Sequence, residues 1–258
     1  MQNLIINKQY NNFLWIICLL ATSSFLLTIN LPLIGEEGVY TNAALEMIFA
    51  KQYKFATLYG NIYPRPPLYN WLIILFNKFS NPKNIVMSAR LVALTATIIT
   101  ALGVFLTSKN LFILTQAKHT TDHKSLSHKK TFLFSILATA IFLSGDVLFK
   151  RGWLAYSDPV FASFVFISTA MLLLGTIHNK YLLIIYANVF LFLGFLSKVH
   201  TAYVFYAITF LVLSFSKYKK INWNNKQSRS KHLEEYYNIS YTNLVSIIAW
   251  KFSSYFWH

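Results

Sequence analysis

Residues 35–79 read GEEGVYTNAALEMIFAKQYKFATLYGNIYPRPPLYNWLIILFNKF, and the rest of the chain is predicted to hold this stretch in place. It begins with the carboxylate pair Glu36-Glu37, directly after the apolar run 13–34. From Tyr40 onward, apolar residues recur with helical spacing, which predicts a helix lying on a membrane surface or on other helices. The partial positive charge at a helix N-terminus favours ionised carboxylates, the form that a general base or a cation ligand needs.

A second amphipathic helix is predicted at residues 68–79, after a polar link that contains Gly60 and Pro64-Arg65-Pro66-Pro67. A run of about a dozen apolar residues is short for crossing a bilayer and suits an interfacial or re-entrant helix. Its apolar side carries Leu68, Trp71, Leu72, Leu75, Phe76 and Phe79.

The composition is that of an integral membrane protein. Of 258 residues, 55% are hydrophobic and only 12% are charged, whereas soluble domains carry about 25% charged residues. The net charge of +15 does not indicate a nucleic-acid partner, because the basic residues fall in short loops between apolar runs, as the positive-inside rule describes. The single cysteine, Cys18, lies in the first apolar run, so no disulfide framework is predicted.

The apolar runs predict an all-α polytopic membrane protein with about six transmembrane helices. The first run continues well past its small residues, which favours a retained anchor over a cleaved signal peptide. Residues 1–216 form the predicted membrane domain, with a long outer loop at 35–84, and residues 217–258 form a basic, polar and possibly truncated tail. The predicted spans are 13–34, 85–107, 132–149, 160–177, 181–196 and 201–215.

Loop charges set the predicted orientation. If residues 68–79 do not cross the membrane, every strongly basic loop falls on the inside. The outside face then receives the loop 35–84, the turn 146–158 and the break 197–200. The inside face receives Lys8, the loop 108–130, Lys180 and the basic cluster 217–231.

This orientation gathers ionisable residues from distant loops on one side of the membrane. Charges at membrane level are costly and tend to mark function. Acidic side chains that face several basic side chains fit a site for a phosphate-bearing substrate. In such a site a protein carboxylate accepts a proton or binds a cation. The gathered residues are Glu36, Glu37, Arg65, Arg151, Asp158, Lys198 and His200.

The order of these motifs along residues 13–216 resembles a known family. It is similar to the N-terminal half of the GT-C fold glycosyltransferases that use polyprenyl-phosphate sugars, the aminoarabinose transferase and protein O-mannosyltransferase-like enzymes. The motifs are the acidic pair, Tyr63-Pro64-Arg65-Pro66-Pro67, Ala89-Arg90-Leu91, Ser157-Asp158-Pro159 and Leu196-Ser197-Lys198.

The resemblance implies transfer of a sugar from a polyprenyl-phosphate donor on the outer face of a bacterial inner membrane. It implies catalytic or acceptor-orienting roles for Glu36, Glu37 and Asp158. The sequence itself requires no cofactor, and it is compatible with a divalent metal. The chain has Glu36 where the family has Asp, Val39 where it has Arg, and Val199 where it has Gly. The implied substrate-binding residues are Tyr40, Tyr63, Arg65, Lys198 and His200.

Each motif also has a structural interpretation. The acidic pair fits a solvated helix N-terminus, and Asp158 fits a helix cap before Pro159. Arg90 fits a snorkelling side chain or a structural partner for an acid, and Arg65 fits an interfacial anchor.

Other functions also stay open at this stage. The His119 and His123 spacing is compatible with a helical metal site, but the polar loop around them favours a solvated loop. The alternative to an enzyme is an inactive, truncated relative or a non-enzymatic membrane subunit. A transporter would need ionisable groups near the membrane midplane and repeated halves, and neither is visible in the sequence.

Overall fold

The structure, a computed structural model, describes residues 23, 31–80, 84–116, 124–145, 152 and 154–226. The helices are α1 (Glu37–Phe49), α2 (Leu68–Ser80), α3 (Ile85–Gln116), α4 (Lys124–Leu143), α5 (Asp158–His178), α6 (Tyr181–Lys198) and α7 (Thr201–Lys226). A two-stranded antiparallel hairpin, β1 (Thr57–Leu58) and β2 (Asn61–Ile62), lies between α1 and α2, with Thr57 opposite Ile62.

Three helical segments are long and apolar enough to cross a bilayer, so the helical membrane fold predicted from the sequence is confirmed at this level. They are Ile85–Leu114, Asp158–His178 and Tyr181–Lys198. Two shorter apolar segments, Lys130–Leu143 and Thr201–Ser216, overlap the predicted third and sixth spans. The predicted first span, 13–34, lies mostly outside the described residues.

Two predicted boundaries fall inside helices. The loop predicted to begin at 108 is wrong at its start, because α3 stays helical through Gln116. The polar residues at 108–110 are followed by four apolar residues at 111–114, which form a further helical turn. Residues 108–114 contain no Gly or Pro that would end the helix. Likewise α7 continues to Lys226, past the predicted domain boundary at 216. Residues 227–258 lie outside the described part of the chain.

Helix α1 packs on other helices, which is one of its two predicted environments. Thr41 is polar, yet it is buried and its hydroxyl donates to the Glu37 carbonyl oxygen at 2.8 Å. That bond satisfies the hydroxyl and lets the helix bury it. One core cluster joins the three helices and contains Tyr40 and Ala44 of α1, Tyr69 and Ile73 of α2, and Ala89 and Val92 of α3.

Helix α2 exposes half of the residues on its predicted apolar side. Trp71, Leu75 and Phe79 are exposed, whereas Tyr69 and Ile73 are buried. The Tyr69 hydroxyl donates to the Ala89 carbonyl oxygen at 3.3 Å and so fixes α2 against α3. The helix therefore packs through a mixed face and turns an apolar stripe outward.

A tight reversal brings the end of α5 next to the start of α6. Asn179 ends α5 in the left-handed conformation, with φ 52°, and α6 begins two residues later at Tyr181. The Ser168 hydroxyl of α5 donates to the Ala187 carbonyl oxygen of α6 at 2.7 Å. Because α6 returns antiparallel to α5, its last residue lies beside the first residue of α5.

Candidate functional site

The first feature of the site is a buried ion pair between Glu37 and Arg90. Both side chains are almost fully buried, with exposed fractions of 0% and 1%. The guanidinium binds the carboxylate in a bidentate manner, with Nε to Oε1 at 2.9 Å and Nη2 to Oε2 at 2.7 Å. Arg90 thus pairs with an acid, which is one of the structural interpretations made from the sequence.

Further hydrogen bonds turn this pair into a junction between three segments. The backbone N–H groups of Ile34 and Ala155 each donate to the Glu37 carboxylate at 2.9 Å. Arg90 donates to the carbonyl oxygens of Leu31 and Pro32, both at 3.1 Å. The pair therefore holds the segment before α1, the start of α3 and the turn before α5 in one arrangement.

The surroundings of Glu37 keep it ionised. Burial alone would raise the pKa of Glu37. The hydrogen bonds from Arg90 and from the backbone of Ala155 and Ile34 outweigh burial and lower that pKa below its usual value. Each oxygen accepts two hydrogen bonds and the side chain has no exposed surface. The catalytic role predicted for Glu37 stays a prediction, but this geometry is that of a structural ion pair.

Its neighbour Glu36 points outward, with a side chain that is 57% exposed. Its carboxylate lies 3.5 Å from the Arg65 guanidinium, which is itself 45% exposed. The Glu36 backbone N–H donates to the Tyr156 hydroxyl at 3.3 Å. Gly35 makes this approach possible, because a Cβ atom there would lie 2.3 Å from the Tyr156 hydroxyl oxygen, and its φ of +57° is one that glycine tolerates.

Arg65 lies between two aromatic rings. Its guanidinium carbon is 5.3 Å from the centre of the Tyr40 ring and 5.5 Å from that of the Tyr63 ring, within cation–π distance. It also donates a hydrogen bond to the Tyr40 hydroxyl. That hydroxyl lies 3.1 Å from the Ser157 hydroxyl. Burial raises the pKa of Tyr40 against the opposing effects of Ser157 and Arg65, so the phenol is neutral near neutral pH.

Asp158 and Lys198 form a second exposed pair across the adjacent helix ends. Lys198 Nζ lies 2.6 Å from Asp158 Oδ1, and the side chains are 49% and 37% exposed. Ser157, not Asp158, occupies the N-cap position, and its side chain makes no capping hydrogen bond. Asp158 is the first helical residue, where the helix dipole favours its negative charge.

These contacts form a continuous surface cluster. Glu36 contacts Arg65, Arg65 contacts Tyr40, Tyr40 contacts Ser157, and the next residue of the chain contacts Lys198. We call this set the polar cluster, consisting of Glu36, Tyr40, Arg65, Ser157, Asp158 and Lys198. It offers two carboxylates, two cations and two hydroxyls at one end of the helices. The predicted orientation placed its charged members on one side of the membrane, and the structure brings them into contact.

Two of the contact residues were not identified from the sequence. Ser157 belongs to a motif of the resemblance and Tyr156 to a predicted turn, but neither was a predicted site residue, because their partners lie 117 and 120 residues away in the chain. No local pattern signals such a contact. Of the predicted substrate-binding residues, Tyr63 lies beside Arg65, whereas His200 is exposed with its ring 5.7 Å from that of Phe195.

The described residues contain no group of three or more His, Cys, Asp or Glu side chains arranged to hold a metal ion. Arg151, His119 and His123 lie outside the part of the chain that the structure describes. Within the polar cluster, Glu36 and Asp158 are the carboxylates whose exposed oxygens would be available to a divalent ion.

The turn next to Lys198 contains a strained residue. Val199 has φ +58° and ψ −136°, a conformation that a β-branched side chain disfavours strongly and glycine adopts readily. This is the position at which the resemblance leads us to expect glycine. The backbone has a geometry typical of glycine although the side chain is Val, and such strain costs about 1–3 kcal/mol.

Comparison with protein-family models, with curated proteins and with solved structures gave no significant match.

Proposed function

We propose that this protein is an integral membrane glycosyltransferase. It moves a sugar from a polyprenyl-phosphate donor to a lipid, glycan or protein acceptor on the outer face of a bacterial inner membrane, and its chain crosses the bilayer about six times. The observation that carries the proposal is the polar cluster, in which two exposed carboxylates alternate with two exposed cations at one end of the helices.

The two cations are suited to the donor phosphate. The Arg65 guanidinium can bind phosphate oxygens in a bidentate manner, and its stacking between Tyr40 and Tyr63 holds it in place. Lys198 supplies a point charge from the neighbouring helix end. Together they would stabilise the negative charge that develops on the phosphate when the glycosidic bond breaks.

Binding of the phosphate would release Glu36. An exposed ion pair contributes only about 0.2–1 kcal/mol, so a donor phosphate that binds the Arg65 guanidinium in a bidentate manner can displace the carboxylate. The released carboxylate accepts the proton of the acceptor hydroxyl. The acceptor oxygen attacks the anomeric carbon, the bond from that carbon to the phosphate oxygen breaks, and polyprenyl phosphate leaves with inversion. Asp158 orients the acceptor or binds a divalent cation.

A transfer assay tests this function. The protein is reconstituted in lipid nanodiscs with a labelled polyprenyl-phosphate sugar and a panel of acceptors. Glu36→Gln and Asp158→Asn are expected to lower the rate by about 10²–10⁴-fold, the usual contribution of a positioned acid or base. Glu46→Gln is the matched control, since that carboxylate accepts backbone N–H groups outside the polar cluster. Full activity in both cluster variants contradicts the assigned roles.

A non-catalytic membrane subunit, or an inactive relative, is the second candidate. It is favoured by the short contact of 2.6 Å between Lys198 and Asp158, which already neutralises the two groups, and by Val at position 199. On this alternative, the wild-type protein binds the donor or a partner but transfers no sugar to any acceptor. Binding of the labelled donor without turnover separates the two candidates.

A further inference from the structure

The link between α1 and α2 folds into a small lobe with an apolar exterior. Residues 49–62, which we call the lobe, contain the hairpin and three residues with positive φ: Lys51 at 51°, Tyr59 at 54° and Gly60 at 76°. Five large apolar side chains of the lobe are exposed, with exposed fractions between 49% and 80%. They are Phe49, Tyr53, Phe55, Tyr59 and Ile62.

Hydrogen bonds give the lobe a defined shape. The Glu46 carboxylate accepts the backbone N–H groups of Tyr59 at 2.6 Å and Gly60 at 3.3 Å. The Trp71 indole N–H donates to the Tyr53 carbonyl oxygen at 2.7 Å. Ala56 is fully buried against α1. The apolar side chains are therefore presented outward by a fixed scaffold.

The lobe is joined to the exposed stripe of α2. Trp71 belongs to that stripe and also holds the lobe through its indole N–H. Leu75 and Phe79 continue the stripe along the helix, with exposed fractions of 49% and 80%. The span Ile85–Leu114 begins directly after the short link that follows α2. If that span crosses a bilayer, α2 and the lobe lie close to the end of the span and so near the boundary of the bilayer.

The net charge of this surface is positive. Residues 49–80 contain Lys51, Lys54, Arg65 and Lys78 and no acidic residue. Arg65 is paired with Glu36, and the Glu46 carboxylate contacts the lobe through backbone N–H groups. The three lysines therefore outnumber the one carboxylate beside the exposed apolar side chains.

We propose that the lobe and the α2 stripe dock on the headgroup region of anionic phospholipids. Aromatic side chains prefer the boundary between headgroups and acyl chains. Lysines beside an apolar surface add attraction to anionic lipids. The combination of exposed aromatic residues, net positive charge and attachment to a membrane span fits a lipid surface better than a protein partner. This inference is independent of the proposed transferase activity.

Site-specific fluorescence tests the proposal on the full chain in nanodiscs. In a Cys18→Ser background, an environment-sensitive dye is attached at Ile62→Cys or, separately, at Phe55→Cys. Nanodiscs contain either phosphatidylcholine alone or a mixture with phosphatidylglycerol. Quenching by a headgroup-level lipid quencher is compared with quenching by aqueous iodide. Reference dyes sit at Lys180→Cys, beyond the far end of α5, and at Ile185→Cys on the exposed side of α6.

The lobe dyes are expected to be quenched by the lipid quencher, and more strongly in the anionic nanodiscs. Each lysine near an anionic surface contributes about fivefold to the docking equilibrium. Lys51→Gln and Lys54→Gln should therefore each lower the ratio of docked to undocked lobe by about fivefold. The matched pair Lys109→Gln and Lys180→Gln, near the other end of the helices, should leave that ratio unchanged. Unchanged quenching of the Ile185 dye shows that the variants stay folded.

Three results would overturn the proposal. Quenching of the lobe dyes by iodide and not by lipid places the lobe in water. Protection from both quenchers means that protein covers it. Equal lipid quenching in neutral and anionic nanodiscs, insensitive to the lysine substitutions, rules out recognition of anionic headgroups.

Discussion

Glu36 and Glu37 are consecutive residues, yet they form ion pairs of opposite character. Glu37 is buried, bound by Arg90 in a bidentate manner and hydrogen-bonded to two backbone N–H groups. Glu36 is more than half exposed and makes a single loose contact with Arg65 at 3.5 Å. One carboxylate is committed to the scaffold, whereas its neighbour is available to a ligand.

The typical energies of buried and exposed ion pairs support this division between a structural carboxylate and an available one. Removing one partner of a buried pair leaves an uncompensated charge and costs about 3–5 kcal/mol. Breaking an exposed pair costs about 0–1 kcal/mol. A substrate phosphate could compete with Glu36 for Arg65 at little cost, but nothing of that size could displace Glu37 from Arg90. The Asp158–Lys198 pair, also exposed, belongs with Glu36.

The largest expected effect is on the buried pair. Arg90→Ala should lower the free energy of unfolding by about 3–5 kcal/mol, because Glu37 would stay buried without its counter-ion. Arg65→Ala, which removes the exposed partner, should change it by less than about 1 kcal/mol. Denaturant titration in detergent micelles measures both. Equal losses in the two variants would break the distinction between the pairs.

The next largest loss of stability is expected at Gly35, the residue directly before Glu36 and Glu37. Gly35→Ala should cost about 1–2 kcal/mol from its left-handed backbone and more from contact with the Tyr156 hydroxyl. Gly60→Ala is the matched control, since its φ is also positive, at +76°, but a Cβ atom there has no neighbour within 4 Å. Adding Tyr156→Phe should restore part of the stability of Gly35→Ala and none of Gly60→Ala. Thermal unfolding of the four variants gives the answer, and identical losses for the two glycines would contradict the close approach.

A smaller effect, with the opposite sign, is expected at the turn beside the exposed Asp158–Lys198 pair. Val199→Gly should stabilise the protein by about 1 kcal/mol, because release of strain of about 1–3 kcal/mol exceeds the entropic cost of glycine, about 0.5–1 kcal/mol. Asn179→Gly is the control, since Asn tolerates the left-handed conformation. A lower melting temperature for Val199→Gly would mean that the turn is not strained.

Acid titration should weaken the buried ion pair of Glu37 and Arg90 at low pH. The pKa of Glu37 is lowered in the folded state from its usual value of 4.5. Its contribution to stability is therefore complete above pH 4.5 and is lost as the pH falls through the folded-state pKa. The melting temperature of the wild-type protein should fall in that window, and Glu37→Gln should remove that part of the decline. An unchanged profile in this variant would show that another group is responsible.

The parts of this fold that the sequence predicts are those set by local periodicity and by charge. Apolar spacing predicts the α1 and α2 helices. Loop charges predict that Asp158 and Lys198 lie on the same side of the membrane. The burial of Glu37 and exposure of Glu36 do not, because they depend on Ala155 and Tyr156, more than a hundred residues away.

Helix α2 shows a second limit of sequence-based prediction. Its apolar side was identifiable, but what that side contacts was not, since the same pattern serves a protein core in water and a lipid surface in a membrane. The structure uses Tyr69 and Ile73 for packing and leaves Trp71, Leu75 and Phe79 exposed.

The most direct test of the division between the two carboxylates is a paired measurement on Glu36→Gln and Glu37→Gln in the same nanodisc preparation. Melting temperature and sugar transfer are recorded for each variant. Our account predicts that Glu37→Gln lowers the melting temperature, whereas Glu36→Gln keeps it at the wild-type value and lowers the transfer rate by about 10²–10⁴-fold. If Glu36→Gln destabilises the protein as much as Glu37→Gln, or transfers sugar at the wild-type rate, the account is contradicted.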